Sequence, residues 1–305
     1  MKLFIAGGTG FIGPHVIERF LEDGWDVKAL VRNERKIETL PAGVEIILGD
    51  PTQPGPWQAK ASECQVAVNL TGANIFARWT PEYKKEILRT RLESTKRVVE
   101  ALASGNGRIL LNASAVGYYG AHRGEEEVSE ESPAGSDFLA EVCRAWEAEA
   151  LTGEKFGLRV CLMRFGVVLG RGGGALSKML PAFKFGLGGP IGSGKQWFPW
   201  IHVKDVAEAA LFLVKRDDLR GPFNFVSPGI VRQKEFAKLL GKALGRPAFL
   251  PVPAFVLHLL FGEMARVVTG GVKARPRRLL EAGYRFLFPE ALEALREILG
   301  KDKTG

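Results

Sequence analysis

The chain has 305 residues, 46% of them apolar and 25% charged, with a formal charge of +8. That balance suits one soluble α/β domain carrying a smaller lobe, and it excludes a fibrous or disordered chain. Lys and Arg are spread along the sequence and interleaved with Glu, with no helix-turn-helix or aromatic-basic strand motif. The charge therefore points to solvated faces and phosphate-bearing small ligands, not to nucleic acid.

In chain order, Lys2–Ala6 reads as a short buried strand. Phe11–Asp23 reads as a helix with Ile12, Val16 and Phe20 on one face and Gly24 as its stop. Pro14 falls in the first turn, where a missing N–H costs nothing. Strands follow at Asp26–Val31, Val44–Leu48 and Val66–Leu70, then a long helix over about Glu82–Ala103. Next come a strand at Arg108–Asn112, a helix over Phe138–Phe156 and a strand at Leu158–Phe165. This alternation predicts parallel strands with right-handed crossovers, hence a doubly wound α/β sheet of the Rossmann kind. The acidic run Glu125–Glu131 reads as an exposed loop.

After Phe165, glycine-rich stretches at Gly166–Gly174 and Gly186–Gly194 flank a helix from about Leu176 to Phe185. Val203–Lys215 returns as a helix and Phe223–Val226 as a strand. Arg232–Leu244 and most of Pro251–Leu299 read as helical. The expected organisation is a dinucleotide-binding domain over residues 1–228, with a lobe inserted at about 166–201. A smaller, mostly helical substrate-side domain follows over 229–305. The longest apolar stretch, Phe249 to Val268, contains His258, Glu263, Arg266 and two prolines, so it is no membrane span and no membrane partner is expected. No signal pattern precedes the first strand. Cys64, Cys143 and Cys161 have neither paired nor metal-type spacing, which suits a reducing cytoplasm and a protein without a metal.

The most informative segment is Ala6-Gly7-Gly8-Thr9-Gly10-Phe11-Ile12-Gly13, lying between the first strand and the first helix. Gly8, Gly10 and Gly13 fit G-x-G-x-x-G, while Gly7, Gly10 and Gly13 fit G-x-x-G-x-x-G. In both, the first glycine permits a tight turn, the second admits phosphate to the backbone, and the third lets helix and strand pack closely. Free N–H groups and the helix dipole then hold a pyrophosphate. Gly7, Thr9, Gly10, Phe11, Ile12 and Gly13 are the cofactor residues this predicts. The second strand ends Leu30-Val31-Arg32-Asn33, followed by Arg35 and Lys36, with no carboxylate at its tip to hold a ribose 2′-OH. Arg32 can stack on adenine and pair with a 2′-phosphate, so NADP (NADPH) is favoured over NAD. Asp50, after the third strand, can meet the adenine edge or equally serve as a turn residue.

Together with Asn69-Leu70-Thr71-Gly72-Ala73, Ser114-Ala115-Val116-Gly117-Tyr118-Tyr119-Gly120 and Trp200-Ile201-His202-Val203-Lys204-Asp205, the glycine turn resembles the extended short-chain dehydrogenase/reductase superfamily, of the NAD-dependent epimerase/dehydratase kind. Three further segments are Arg164-Phe165-Gly166-Val167-Val168-Leu169-Gly170, Gly173 to Pro181, and Gly186 to Gly194. They are most similar to an atypical, sugar-nucleotide epimerase-like branch. That branch ends in a helical domain of unknown function, matching roughly Phe249 to Leu299. The resemblance covers essentially the whole chain. It implies a nicotinamide across the carboxyl ends of the strands, with Leu70, Thr71 and Gly72 at the cofactor. It also implies a C-terminal lobe closed over a small polar substrate of the nucleotide-sugar class, and a homodimer through the helices Glu82–Ala103 and Phe138–Phe156.

Typical members of the superfamily use Tyr-x-x-x-Lys plus an upstream Ser or Thr; the tyrosine moves a proton while hydride moves. Here the residues four places after Tyr83, Tyr118, Tyr119 and Tyr284 are Ile87, His122, Arg123 and Phe288. Alignment on Trp146-Glu147 puts Leu139 at the tyrosine position and Cys143 at the lysine position. The candidate catalytic groups are then Ser114, at the superfamily's hydroxyl position, and Tyr118, as a surrogate acid. Arg91 is expected to face the pyrophosphate. Arg164, Lys178 and Lys195 are cations near the expected cleft, and Trp200 and His202, with Trp197, occupy a segment that lines the substrate side in relatives. Two functions fit. One is an NADP-dependent oxidoreductase or epimerase with a nonstandard proton donor. The other is an NADPH-binding sensor acting on a partner through its C-terminal helices, a reading that an exposed apolar patch there would favour.

Overall fold

Largely apolar runs, buried on both faces except at the edge strand β3, form one sheet of seven strands: β1 (Lys2–Ala6), β2 (Asp26–Val31), β3 (Glu45–Leu48), β4 (Val66–Asn69), β5 (Ile109–Ala115), β7 (Arg159–Phe165) and β11 (Gly221–Phe225). The computed structural model describes residues 1–300, the side chains of His122 and Leu260 excepted; residues 301–305 of the expected C-terminal domain lie outside the described residues. The strand order is β3-β2-β1-β4-β5-β7-β11, and every neighbouring pair is parallel. The winding reverses between β1 and β4, where an open α/β sheet leaves a crevice at its carboxyl edge.

Alternation along β1 divides the core. Leu3 and Ile5 face α1 (Gly13–Glu22) and α6 (Val203–Val214), in a cluster with Val16, Ile17, Phe20, Val206 and Leu213. Phe4 and Ala6 face the other way, into a cluster with Trp57 of α2 (Trp57–Ser62) and Val98, Val99 and Leu102 of α3 (Pro81–Ala103). α4 (Phe138–Leu151) lies beside α3 and contributes Ala150 to that cluster. Each fully buried side chain of this size contributes roughly 1.5–3 kcal/mol. Caps fix the starts of the long helices: Thr80 Oγ1 accepts from Tyr83 N at 3.2 Å, and Asp137 Oδ1 accepts from Ala140 N at 3.0 Å. α1 begins at Gly13, two residues later than the apolar periodicity predicts, because Phe11 and Ile12 belong to the turn.

The inserted segment and the C-terminal third share a second core. β8 (Val167–Leu169) pairs in parallel with β10 (Trp200–His202), and β9 (Trp197–Phe198) pairs antiparallel with β12 (Val231–Arg232). Leu169 of β8, Leu176 and Phe183 of α5 (Gly174–Lys184), and Trp200 of β10 pack against Phe236 and Leu240 of α7 (Gln233–Leu244) and Leu295 and Ile298 of α11 (Ala291–Ile298).

One expectation is corrected and a second refined. Glu125–Glu131 is not a loop throughout, since β6 (His122–Val128) pairs in parallel with β13 (Gly271–Ala274), although Glu125, Glu126, Glu127 and Glu131 are exposed as expected. Glu126 pairs locally with Arg123, but other acids of the run are held by partners distant in sequence. Glu127 meets Lys273 at 3.2 Å and Arg275 at 2.6 Å, and Glu130, 5% exposed, accepts from Asn224 N at 2.9 Å. Pro251–Leu299 is mostly helical, as its sequence reads, but not as one run. It divides into α8 (Ala254–Phe261), α9 (Ala265–Thr269), β13, α10 (Arg277–Glu281) and α11. The break falls at Gly270-Gly271, where a Cβ on Gly271 would sit 1.9 Å from the Trp197 carbonyl oxygen, so only a bare backbone fits. Among the described residues no helix is long and apolar enough to cross a membrane.

Candidate functional site

The crevice between the ends of β1 and β4 is shaped by glycines that cannot be anything else. Gly7 has φ +83°, and a Cβ there would lie 2.8 Å from the Leu70 carbonyl carbon. At Gly13 a Cβ would lie 2.1 Å from Gly8 O, so α1 meets the turn with no space between them. Gly10 N closes the turn on Gly7 O at 3.0 Å. No side chain caps the N-terminus of α1, which leaves its dipole and amides suited to an anionic oxygen. Phe11 leaves the turn and lies against the inserted lobe. Cβ atoms at Gly170, Gly173 and Gly174 would come within 2.9, 2.2 and 2.8 Å of its ring. The glycine-rich stretch after β8 is thus a seat for Phe11.

At the tip of β2 an open cleft of about 650 Å³ is lined by Thr9, Arg32, Asn33, Glu34, Arg35 and Lys36. Three cations against one carboxylate make it a basin for a phosphate. Asp50 stands behind Arg32. Partial burial would raise its pKa, but hydrogen bonds from Thr52 N (2.8 Å) and Thr52 Oγ1 (2.7 Å), with the fields of Arg32 and Arg89, hold it below the ordinary carboxylate value.

Beyond β4, Thr71 N donates to Asn69 Oδ1 at 3.2 Å. Asn69 Nδ2 donates to Asn112 Oδ1 (2.8 Å) and Thr95 Oγ1 (3.0 Å), and Trp146 Nε1 also reaches Thr95 Oγ1 (2.9 Å). This buried network joins the ends of β4 and β5 to α3 and α4, and so fixes the Leu70-Thr71-Gly72 corner. Arg91 lies over the Trp146 ring at 4.9 Å and donates from Nη1 to Ala73 O and Ile87 O. Gly72 leaves room for it, since a Cβ there would be 2.9 Å from Arg91 Cζ. Burial lowers the Arg91 pKa from its ordinary value.

At the end of β5, Ser114 is 2% exposed and its Oγ donates to Glu147 Oε1 at 2.6 Å. Glu147 in turn takes both forks of Arg164, Nε to Oε1 and Nη2 to Oε2, each at 2.8 Å. The serine's proton is committed, so toward any ligand its oxygen is an acceptor. Leu139 and Cys143 stand beside this strand end, 3.4 Å (Cβ) and 3.9 Å (Sγ) from a Cβ built on Gly117. Burial pushes the Cys143 thiol up to about 12, so it keeps its proton at neutral pH. Three tyrosines have engaged hydroxyls: Tyr83 with Asn74 O, Tyr119 with Asn224 Oδ1 and Arg164 Nη1, and Tyr284 with Asp205. Among the described residues the hydroxyl of Tyr118 has no hydrogen-bond partner, and its ring face carries the Arg164 guanidinium at 3.5 Å.

The groups expected at the substrate divide. Arg164 is 3% exposed and also donates to Glu130 O at 3.2 Å, so its guanidinium is held among protein acceptors and not offered to a cleft. Burial alone would lower its pKa, yet Glu147 raises it above the ordinary value. Trp200 is 1% exposed, its Nε1 bonded to Gly229 O at 2.9 Å. His202 Nδ1 accepts from Lys204 N (3.1 Å), capping α6, while Nε2 bonds Glu297 Oε2 (2.9 Å). Both are anchors between the sheet and the C-terminal lobe. Lys178 alone of the four is exposed, with Nζ 5.2 Å from the Phe76 ring. Glu147 is the functional-site residue that sequence reasoning passed over. Its place four residues after Cys143, on the same helix face, was the available signal. No group of three or more His, Cys, Asp or Glu able to hold a metal occurs among the described residues.

Residues 3–225 match the NAD dependent epimerase/dehydratase family, and residues 252–298 match a domain of unknown function, DUF1731. The chain is 40% identical to the Epimerase family protein SDR39U1 homolog, chloroplastic, of Arabidopsis thaliana, across 98% of this chain and 87% of that one. The crystal structure of human epimerase family protein SDR39U1 (isoform 2) with NADPH superposes with a TM-score of 0.86 at 35% identity, covering 98% of this chain and 99% of the human one. The Thermus thermophilus UDP-glucose 4-epimerase complex with NAD has a TM-score of 0.79 at 21% identity, covering 99% of this chain and 98% of that one, a likeness of fold. The reversal point, the glycine turn and these matches agree, and the chain belongs to the NAD dependent epimerase/dehydratase family.

Proposed function

We propose that the chain binds NADP(H) and works as an oxidoreductase or nucleotide-sugar epimerase-like enzyme without a Tyr-x-x-x-Lys pair. The cationic cleft at the tip of β2 carries this reading, because an NAD site needs an acid where Arg32 stands. In the proposal Gly7, Thr9, Gly10, Phe11, Ile12 and Gly13 hold the pyrophosphate, with Arg91 near it. Arg32, with Arg35 and Lys36, holds the 2′-phosphate. Asp50 meets the adenine edge, and Leu70, Thr71 and Gly72 line the cofactor beyond β4. The bound nicotinamide supplies or accepts hydride. Tyr118, whose hydroxyl is free, exchanges the proton, and Ser114 accepts a hydrogen bond. Lys178 is the cation offered to a small polar substrate. Residues 1–228 form the cofactor unit and 229–305 the substrate side, with a homodimer contact on α3 and α4. Three unpaired, buried cysteines fit a cytoplasmic setting.

Calorimetric titration with both coenzymes tests the cofactor assignment. Arg32→Asp should lower NADPH affinity by about tenfold or more and leave NADH affinity unchanged. Equal losses refute the 2′-phosphate role. The sensor reading has one observation of its own, the exposed apolar face of α8, where Phe255 is 72% and Leu259 76% exposed. NADPH consumption in the presence of metabolite extracts separates the two. Consumption, or redox-neutral conversion of a nucleotide sugar into its epimer, that falls in Tyr118→Phe with binding intact supports the enzyme, and binding with neither supports the sensor.

A further inference from the structure

α8 is apolar but for His258: its sequence is Ala-Phe-Val-Leu-His-Leu-Leu-Phe, and none of its described residues is buried. Phe255 and Leu259, one turn apart, share a face open to solvent. The face does not stand alone. Phe185 (81% exposed) and Leu187 (61%) follow α5, and Phe249 (69%) and Leu250 (39%) precede α8. The two loops run side by side. Leu250 N donates to Gly188 O, Val252 N to Pro190 O, and Gly192 N to Val252 O. A Cβ on Gly186 would touch Pro247, and one on Gly192 would touch Ala254. Six large apolar side chains therefore project from one continuous edge of the C-terminal lobe. A patch of this kind marks an interaction surface.

The charges around it select the partner. From Lys155 to Lys204 the chain has no Asp or Glu, and none occurs from Phe236 to Gly262. Those two segments carry the whole patch. Their exposed charges are cations, with Lys178, Lys184, Lys242 and Arg246 nearest in sequence, and Lys184, Lys242 and Arg246 have no ion-pair partner among the described residues. A second copy seated two-fold on this edge would bring cationic rim against cationic rim, which is repulsive. An anionic bilayer offers hydrocarbon to the Phe and Leu side chains and phosphate to the rim in one plane. We propose that this edge is a docking surface for anionic phospholipid membranes, held by side-chain insertion and without any spanning segment. The proposal rests on neither reading of the cofactor site.

Sedimentation of the full chain with phosphatidylcholine vesicles, and with vesicles half phosphatidylglycerol, tests it. Binding should require phosphatidylglycerol and weaken with added salt. Phe255→Glu with Leu259→Glu should reduce it about tenfold, and Lys184→Glu with Arg246→Glu should do the same. All four positions are exposed and far in sequence from the glycine turn, so melting temperature and NADPH affinity report whether the variants keep their fold. Absence of vesicle binding, equal binding to both vesicle types, or unchanged binding by both double variants overturns the proposal. So does self-association that Phe255→Glu abolishes in a chain that ignores vesicles, since a second copy would then be the occupant.

Discussion

At Gly13 a single added carbon would land 2.1 Å from a backbone oxygen, whereas at Phe255 most of a phenyl ring meets nothing but solvent. The first region is over-determined: turn, helix start and neighbouring strand meet with no slack. The second is an apolar helix seated mainly on α9 and the short turn before it, with no layer above it. A third region is the buried charge network of Arg164, Glu147 and Ser114. The three regions should answer mutation differently, and the order of those answers is a test of the description.

The largest response belongs to the network. Arg164→Ala leaves Glu147 buried with only the Ser114 hydroxyl as partner, and breaking a buried pair in this way costs about 3–5 kcal/mol. Denaturant unfolding measures it. A loss under ~1 kcal/mol would mean that Arg164 is exposed enough to meet a substrate after all. Gly13→Ala comes next. The new methyl must displace backbone, which costs about 3 kcal/mol in stability and should remove measurable NADPH binding. Wild-type calorimetry from that variant would break the claim that the turn has no slack.

These two sites differ in how legible they are in the sequence. The glycine spacing, the apolar strands and the cationic end of β2 are local patterns, because each depends on residues within a few positions of one another. The Arg164–Glu147–Ser114 cluster joins α4, β7 and β5 across 33 positions of chain between Ser114 and Glu147, and no periodicity announces it. The same holds for β6. Its run of glutamates looks like a solvated loop until Lys273 and Arg275 arrive from β13. Arg164 misled for one reason: a cation near a cleft has the same local sequence whether it faces ligand or core.

The junction between the two lobes responds more mildly and through pH. Burial lowers the His202 pKa from 6.5 to about 4, outweighing the Glu297 carboxylate that would raise it. A folded pKa below the unfolded one means that the unfolded chain binds the extra proton first. The neutral imidazole's contribution is therefore complete above about pH 6.5 and is lost as pH falls toward 4. Unfolding free energy should drop by about 2 kcal/mol between pH 7 and pH 5 from this group. His202→Asn should flatten that segment of the stability profile, and an unchanged slope would place the lobe junction's pH sensitivity elsewhere.

The smallest response is expected at the open edge. Phe255→Ser removes an aromatic ring that contacts little protein, so its effect on unfolding should stay within about 0.5 kcal/mol in either direction. A buried phenylalanine cut back this far would cost about 3–5 kcal/mol, which makes the measurement decisive despite its size. A loss of several kcal/mol would show that α8 folds down onto the body of the protein in solution. The apolar edge would then be a closed lid over the substrate side, and the lipid surface would have no docking face. A near-zero change leaves the sharper contrast standing. One chain then holds its cofactor turn by exclusion of every extra atom, and keeps six large apolar side chains at its far edge for a surface that is not its own.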